Sequence, residues 1–164
     1  MTGSEHLGAR ADERSVLLGF LDWYRAVVEH KVQGLTFVDA ARVMTPTGLS
    51  PLGILAHLAA VEVGWFTEPF AGATVDPMWD DHGSFRLRPD DSVESVVEEY
   101  RAACASSRAI VDAAPSLDAL SVDVHNVWGN VSLRWLLVHM IEETARHAGH
   151  LDLMREQIDG RTGD

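Results

Sequence analysis

The C-terminal segment from Ser132 to Gly160 constrains the fold most, because it predicts one long amphipathic helix. Residues that suit a protein core recur in it at the spacing of a single helical face. This stripe comprises Leu133, Leu136, Met140, Thr144, Leu151, Met154 and Ile158. His147 falls near the middle of the stripe, and Glu143 falls one turn earlier on its flank. A carboxylate and an imidazole beside an apolar core are costly unless something compensates both of them.

A bound metal ion is one way to compensate Glu143 and His147. Four residues of separation on a helix place their Cβ atoms about 5–6 Å apart on one face. Bonds of about 2.0–2.2 Å from each side chain to one zinc-like ion can close that gap. The alternatives are a hydrogen-bonded core histidine and a simple ion pair, because buried polar groups are normally just paired. A third ligand from elsewhere in the chain would favour the metal.

Helical periodicity predicts three further long helices and one short helical turn before this segment. These elements are residues 12–31, 37–43, 51–68 and 91–114. Ser50 and Pro51 are typical of a helix start, and Asp91 with Glu94 resembles a capping box. The sequence therefore predicts an all-α four-helix bundle with long connections before the third and fourth long helices. We expect one domain over residues 1–164, with residues 1–10 as a loose N-terminus.

Composition bounds the class of protein and its partners. The 164 residues suit one domain with a substantial core. A formal net charge of −12 argues against nucleic acid or an anionic membrane as a partner, because binding phosphate needs clustered Lys and Arg. No run approaches the roughly 18 apolar residues of a membrane span, so we expect a cytoplasmic protein. Cys104 is the single cysteine, which excludes a disulfide framework within one chain, and we interpret it as a small packing residue.

The second long helix carries a candidate third ligand. It is apolar almost all round, yet it contains His57, about 70° from the centre of its deepest stripe. This position lies at the edge of the buried face, towards a neighbouring helix. The alternative is a partly exposed histidine that is bonded to a carbonyl group. Together, His57, Glu143 and His147 offer two imidazoles and one carboxylate, a set that leaves an open coordination position in catalytic zinc sites.

Two segments carry a resemblance to a known family: SPLGILAHLAAVE around His57 and VHMIEETARHAGHLDLMREQIDG around Glu143 and His147. They resemble the DinB/YfiT-like superfamily, in its actinobacterial-type branch with the mycothiol-dependent maleylpyruvate isomerase and low-molecular-weight-thiol S-transferases. The resemblance implies a four-helix bundle, a homodimer and one divalent metal bound through these same three residues. Many members have His-x-x-x-His on the last helix. The Glu-x-x-x-His of this chain resembles the maleylpyruvate isomerase arrangement.

Other polar and aromatic residues are candidates for supporting roles. His139 and His150 flank the stripe of the last helix and are either a fourth ligand, partners that orient Glu143 or His147, or histidines that touch water. Four residues of the 70–90 and 115–130 connections are candidate pocket residues: Trp79, His82, His125 and Trp128. Three arginines either bind a substrate carboxylate or form surface salt bridges: Arg86, Arg88 and Arg146.

These observations together predict a divalent-metal-dependent enzyme. We expect zinc, with nickel, iron or manganese as alternatives. A low-molecular-weight thiol of the mycothiol type and a small-molecule electrophile would be the substrates, in S-transfer or in thiol-dependent isomerisation. With water in place of the thiol, the same centre would be a metal-dependent hydrolase. The alternative outside catalysis is a bundle that is stabilised by its metal and binds a small ligand.

Overall fold

The structure is a computed structural model that describes residues 11–73, 85–124 and 127–162. Its helices are α1 (Glu13–Val32), α2 (Phe37–Ala40), α3 (Pro51–Trp65), α4 (Val93–Ala113) and α5 (Leu133–Asp159), with a π-helical turn at Phe66–Phe70. The predicted all-α bundle of four long helices is confirmed. An isolated antiparallel bridge pairs Leu120 with Ser132. None of the described helices has the length and apolar character needed to cross a membrane.

Helix α3 is the central helix of the bundle, since it contacts α1, α4 and α5. Most of its residues are buried, from Pro51 through Leu55 and again from Leu58 through Glu62. The apolar side chains around α3 are therefore buried against other helices of the same chain. It supplies no argument for a partner subunit, and the homodimer stays a prediction.

Two clusters of buried apolar side chains give the directions of the helices. One cluster contains Val28, Leu52, Val97 and Leu151, and the other contains Leu21, Phe66, Val111 and Leu136. Along the chain, α3 and α4 both run from the first cluster to the second, whereas α1 and α5 run the opposite way. Because α3 and α4 are parallel, both helices begin at the same end of the bundle. At the opposite end, α4 ends and α5 begins.

The two ends of α3 show one confirmed and one corrected prediction. The Ser50 hydroxyl accepts a hydrogen bond from the Gly53 amide at 3.1 Å, so the predicted N-cap is confirmed. The α-helix was predicted to continue to about residue 68, but it ends at Trp65 and Phe66–Phe70 forms a π turn. Pro69 lacks an amide hydrogen for an α-type bond and its ring crowds the carbonyl one turn back, so the backbone widens there.

The predicted capping box at the start of α4 is wrong. Ser92 is the N-cap, and its side chain and that of Ser95 bond each other's backbone amides. The Asp91 carboxylate instead accepts hydrogen bonds from the Arg88 amide at 2.7 Å and from the Arg88 guanidinium at 2.9 Å. An aspartate that closes this preceding turn is not available to cap the helix.

Between α1, α3 and α4 lies a buried polar cluster that the sequence analysis missed. The Arg25 guanidinium donates two hydrogen bonds, of 2.7 and 2.6 Å, to the two carboxylate oxygens of Glu62. Both side chains are almost fully buried, with 4% and 1% exposed. Cys104 is buried nearby, as predicted, and burial raises the pKa of its thiol to about 12. Burial also holds the pKa of Tyr100 well above its usual range.

Candidate metal centre

The three predicted ligands meet between α3 and α5. Nε2 of His57 lies 3.3 Å from Oε1 of Glu143, and Nε2 of His147 lies 3.2 Å from the same oxygen. One ligand atom from each residue falls within 4.8 Å of the other two. The side chains are largely shielded from solvent, with exposures of 11%, 15% and 7% for His57, Glu143 and His147. The fold thus assembles a compact group of nitrogen and oxygen donors from two helices.

Local helical geometry and the antiparallel packing of two helices account for this convergence. Glu143 and His147 are one turn apart, so α5 places them side by side. His57 lies at the edge of the buried face of α3 and therefore points along the surface where α3 and α5 meet. Antiparallel packing then brings the middle of α3, with His57, against the middle of α5, where Glu143 and His147 lie.

The spacing of the donor atoms fits a divalent metal ion. Two ligand atoms that each lie about 2.0–2.1 Å from a tetrahedral zinc ion are separated by about 3.3–3.4 Å. The nitrogen-to-oxygen distances of 3.3 and 3.2 Å are close to that separation. Imidazole and carboxylate are also ligands that zinc, nickel and iron accept. The residues present therefore suit one such ion at the centre of the group.

Glu143 is held as a carboxylate in this arrangement. Hydrogen bonds from His147 and His57 hold the pKa of Glu143 well below its usual range. Its second oxygen, Oε2, lies 3.3 Å from the Arg146 guanidinium. Arg146 is exposed and also pairs with Glu142. The guanidinium of this candidate pocket residue is thus already shared by two carboxylates of α5, as in a surface salt bridge.

A phenylalanine of the connection before α4 covers His57. The Phe85 ring stacks on the His57 imidazole at a centroid distance of 3.8 Å and an angle of 15°. The same ring lies 5.7 Å from the His147 ring. Its backbone comes so close to α3 that a Cβ at Gly53 would lie 2.4 Å from the Phe85 carbonyl oxygen. The sequence analysis missed Phe85, and a glycine one turn before His57 was the one local signal of this approach.

His150 lies behind His147, on the side away from Glu143. Its Nδ1 is 3.4 Å from Nδ1 of His147, whereas Nε2 of His147 faces the carboxylate. Burial, and next the neighbouring His147, lower the pKa of His150. A ring nitrogen held in this way fixes the orientation and tautomer of the imidazole. The geometry suits the predicted orienting role, and His150 is outside the described group of converging ligand atoms.

Comparison with known proteins gives the family of the chain. A family model described as mycothiol-S-transferase matches residues 16–160, a span that contains all three converging residues. The chain belongs to this family. A family with this description is one of transferase-type enzymes that use a thiol, which agrees with the predicted class of enzyme and with mycothiol as the predicted thiol.

One solved structure is similar in fold to this member of the mycothiol-S-transferase family. It is described as the crystal structure of the conserved protein of locus from Enterococcus faecalis, with a TM-score of 0.65. The match covers 92% of this chain and 99% of that chain at 17% sequence identity, which shows a shared fold alone. No curated protein matches the chain.

The remaining candidate residues fall in several places. His139 contacts the rings of Trp65 and Trp135 and lies 3.8 Å from Glu142, so it is outside the described ligand group. The Trp128 ring contacts the rings of Trp65 and Trp135. Arg88 forms salt bridges with Asp91 and Glu99, and Arg86 is exposed. Three predicted pocket residues lie outside the described residues: Trp79, His82 and His125.

Proposed function

We propose that this protein is a divalent-metal-dependent S-transferase that joins a mycothiol-type thiol to a small electrophile. The observation that carries the proposal is the convergence of His57, Glu143 and His147 within 4.8 Å, in a chain of the mycothiol-S-transferase family. Neither part is sufficient alone. Exposed acidic groups often cluster for other reasons, but this group is largely buried, and its two nitrogen-to-oxygen distances of 3.3 and 3.2 Å are close to those of a tetrahedral site.

In the proposed transfer, the metal ion makes the thiol more acidic, and the side chains of the protein hold the ion in position. A bound divalent ion supplies positive charge, which lowers the pKa of a thiol so that the thiolate exists near neutral pH. In the net reaction the S–H proton passes to solvent and a new C–S bond forms. The bond between carbon and leaving group breaks, and its electron pair departs with that group. His57, Glu143 and His147 would hold the ion, with zinc as the first expectation.

The surrounding residues support this arrangement in distinct ways. His150 contacts the far nitrogen of His147 and would keep Nε2 directed at the centre. Arg146 contacts the outer oxygen of Glu143 and so favours the rotamer that turns the inner oxygen towards the histidines. Phe85 covers one face of His57 and limits its access to water, which strengthens electrostatic interactions inside the site.

The first test is the metal content of the purified protein and of two alanine variants. We expect about one divalent ion per chain in the wild type and loss of that ion from His147→Ala after dialysis against a weak chelator. The control is His30→Ala, which removes an exposed histidine of α1 and should keep the ion. Loss of the ion should also lower the melting temperature, because binding to the folded state alone stabilises it by about 3–4 kcal/mol at 100–1,000 times Kd.

The second measurement is consumption of mycothiol in the presence of monobromobimane. We expect the wild type and His30→Ala to exceed the uncatalysed rate and His147→Ala to match it. Full metal content in His147→Ala would show that the ligand assignment is wrong. A metal-loaded protein that consumes no thiol would refute S-transfer. The metal-dependent hydrolase and the non-catalytic, metal-stabilised bundle would then be the functions to test. Conversion of the electrophile without net loss of thiol would instead indicate the thiol-dependent isomerase.

A further inference from the structure

Three tryptophan rings form a cluster beside the candidate metal centre. Trp65 of α3, Trp128 of the connection before α5 and Trp135 of α5 have centroid distances of 5.9, 5.7 and 5.2 Å for the three pairs. His139 extends the cluster, since its ring lies 4.6 Å from Trp65 and 5.1 Å from Trp135. Half of the Trp128 surface is exposed to solvent. We name these four residues the aromatic cluster.

The aromatic cluster lies along the same two helices as the candidate metal centre. Trp65 follows His57 by eight residues and Trp135 precedes Glu143 by eight residues, which is about 12 Å along each helix axis. His139 precedes Glu143 by one turn, or about 6 Å. Since α3 and α5 are antiparallel, the two displacements have the same direction. His139 therefore lies about one turn from the centre, and Trp65 and Trp135, the two rings that hold Trp128, lie just over two turns from it.

Contact between the rings decides which kind of group the cluster suits. Ring centroids 5.2–5.9 Å apart belong to side chains that touch one another. A cage for a cation needs space between its rings, and rings in mutual contact leave none. Glu142 lies 3.8 Å from His139 and disfavours an anionic group. The exposed part of Trp128 suits a flat, conjugated group that stacks on it.

We propose that Trp128, held by Trp65 and Trp135, is a specificity-determining residue for the flat, conjugated part of the electrophile. This inference rests on the proposed S-transferase function, because it names the class of electrophile that the same centre takes. The ring system of the electrophile packs against Trp128, and its reactive carbon is directed towards the thiol at the centre. Small electrophiles without a ring gain nothing from the cluster.

The test compares two electrophiles with the metal-loaded full-length protein at saturating mycothiol. Monobromobimane carries a flat two-ring system, and iodoacetamide carries none. We expect Trp128→Ala to lower kcat/KM for monobromobimane about tenfold, the size expected for loss of an aromatic contact, and to leave kcat/KM for iodoacetamide unchanged. Trp128→Phe should retain most of the preference. The control Trp23→Ala removes a tryptophan of α1 that lines a separate cavity of about 430 Å³, and it should change neither value.

Equal losses with both electrophiles in Trp128→Ala would overturn the inference, since they would indicate damage to the centre itself. A rise in KM for mycothiol alone would overturn it as well, because the cluster would then bind the thiol. A separate measurement does not depend on turnover: quenching of tryptophan fluorescence by dimethylbimane, which has no leaving group. Weaker binding of dimethylbimane to Trp128→Ala than to the wild type would support the role of Trp128 in binding the ring system, even if no S-transfer occurs. Absence of binding to the wild type refutes it.

Discussion

Replacement of Gly53 by alanine tests whether the close approach of Phe85 to α3 shapes the candidate metal centre. An added Cβ would lie 2.4 Å from the Phe85 carbonyl oxygen and 2.9 Å from the Ser50 hydroxyl. Ordinary contact begins at 3.4 Å, so the Phe85 backbone has to move by about 1 Å. That movement displaces the ring that stacks on His57 at 3.8 Å. The variant should therefore affect both the stability of the fold and the binding of metal.

The opposing energies can be compared directly. Crowding in a packed interior costs about 1–3 kcal/mol, and a disturbed cap at Ser50 costs about 1 kcal/mol more. Alanine in place of glycine in a helix stabilises the fold by about 1 kcal/mol, because alanine has the higher helix propensity. We expect Gly53→Ala to lower the free energy of unfolding by about 1–3 kcal/mol, which for a chain of this length is a fall of about 2–12 °C in Tm. Zinc affinity should fall with it.

Gly149→Ala is the matched control, since it makes the same chemical change two residues from His147. No atom outside its immediate neighbours lies within 4 Å of the Cβ that it would add. Helix propensity then acts alone and should stabilise the protein by about 0.5–1 kcal/mol. Urea unfolding and competition for zinc with a chromogenic chelator measure the two effects. A Gly53→Ala protein with unchanged stability and zinc affinity would refute the argument from Phe85.

Three further predictions concern the buried cluster between α1, α3 and α4. Arg25→Met leaves the Glu62 carboxylate buried without its two guanidinium hydrogen bonds, so the free energy of unfolding in urea should fall by about 3–5 kcal/mol. The double variant Arg25→Met with Glu62→Leu should restore most of that loss. A loss below about 1 kcal/mol in Arg25→Met would contradict this prediction. The pKa of Cys104 is raised to about 12, so at pH 8 its thiolate fraction is roughly a thousandfold below that of an ordinary thiol. Ellman's reagent should therefore label Cys104 far more slowly in the native protein than in urea. Because the pKa is higher in the folded state, the contribution of Cys104 to the free energy of unfolding should be level below about pH 9 and fall as pH rises towards 12.

The sequence was sufficient for those features that depend on neighbours along one helix. Periodicity located the four long helices, and Ser50 and Gly160 marked a helix start and a helix end that the structure confirms. It also placed Glu143 beside His147, because residues four apart meet on any α-helix. The position of His57 at the edge of a buried face followed from the same periodicity. Each of these inferences needs helix geometry and nothing about how the helices pack.

The remaining features depend on which segments pack together. Asp91 and Ser92 are both suitable caps for α4, and the bond from Arg88 to Asp91 leaves Ser92 as the one that caps it. The stacking of Phe85 on His57 arises because α3 and α4 are parallel, so the segment just before α4 lies beside the first turns of α3. The buried pair of Arg25 and Glu62 and the aromatic cluster join residues far apart in sequence. Such contacts follow from the packing of whole helices, which the local pattern of a single segment does not specify.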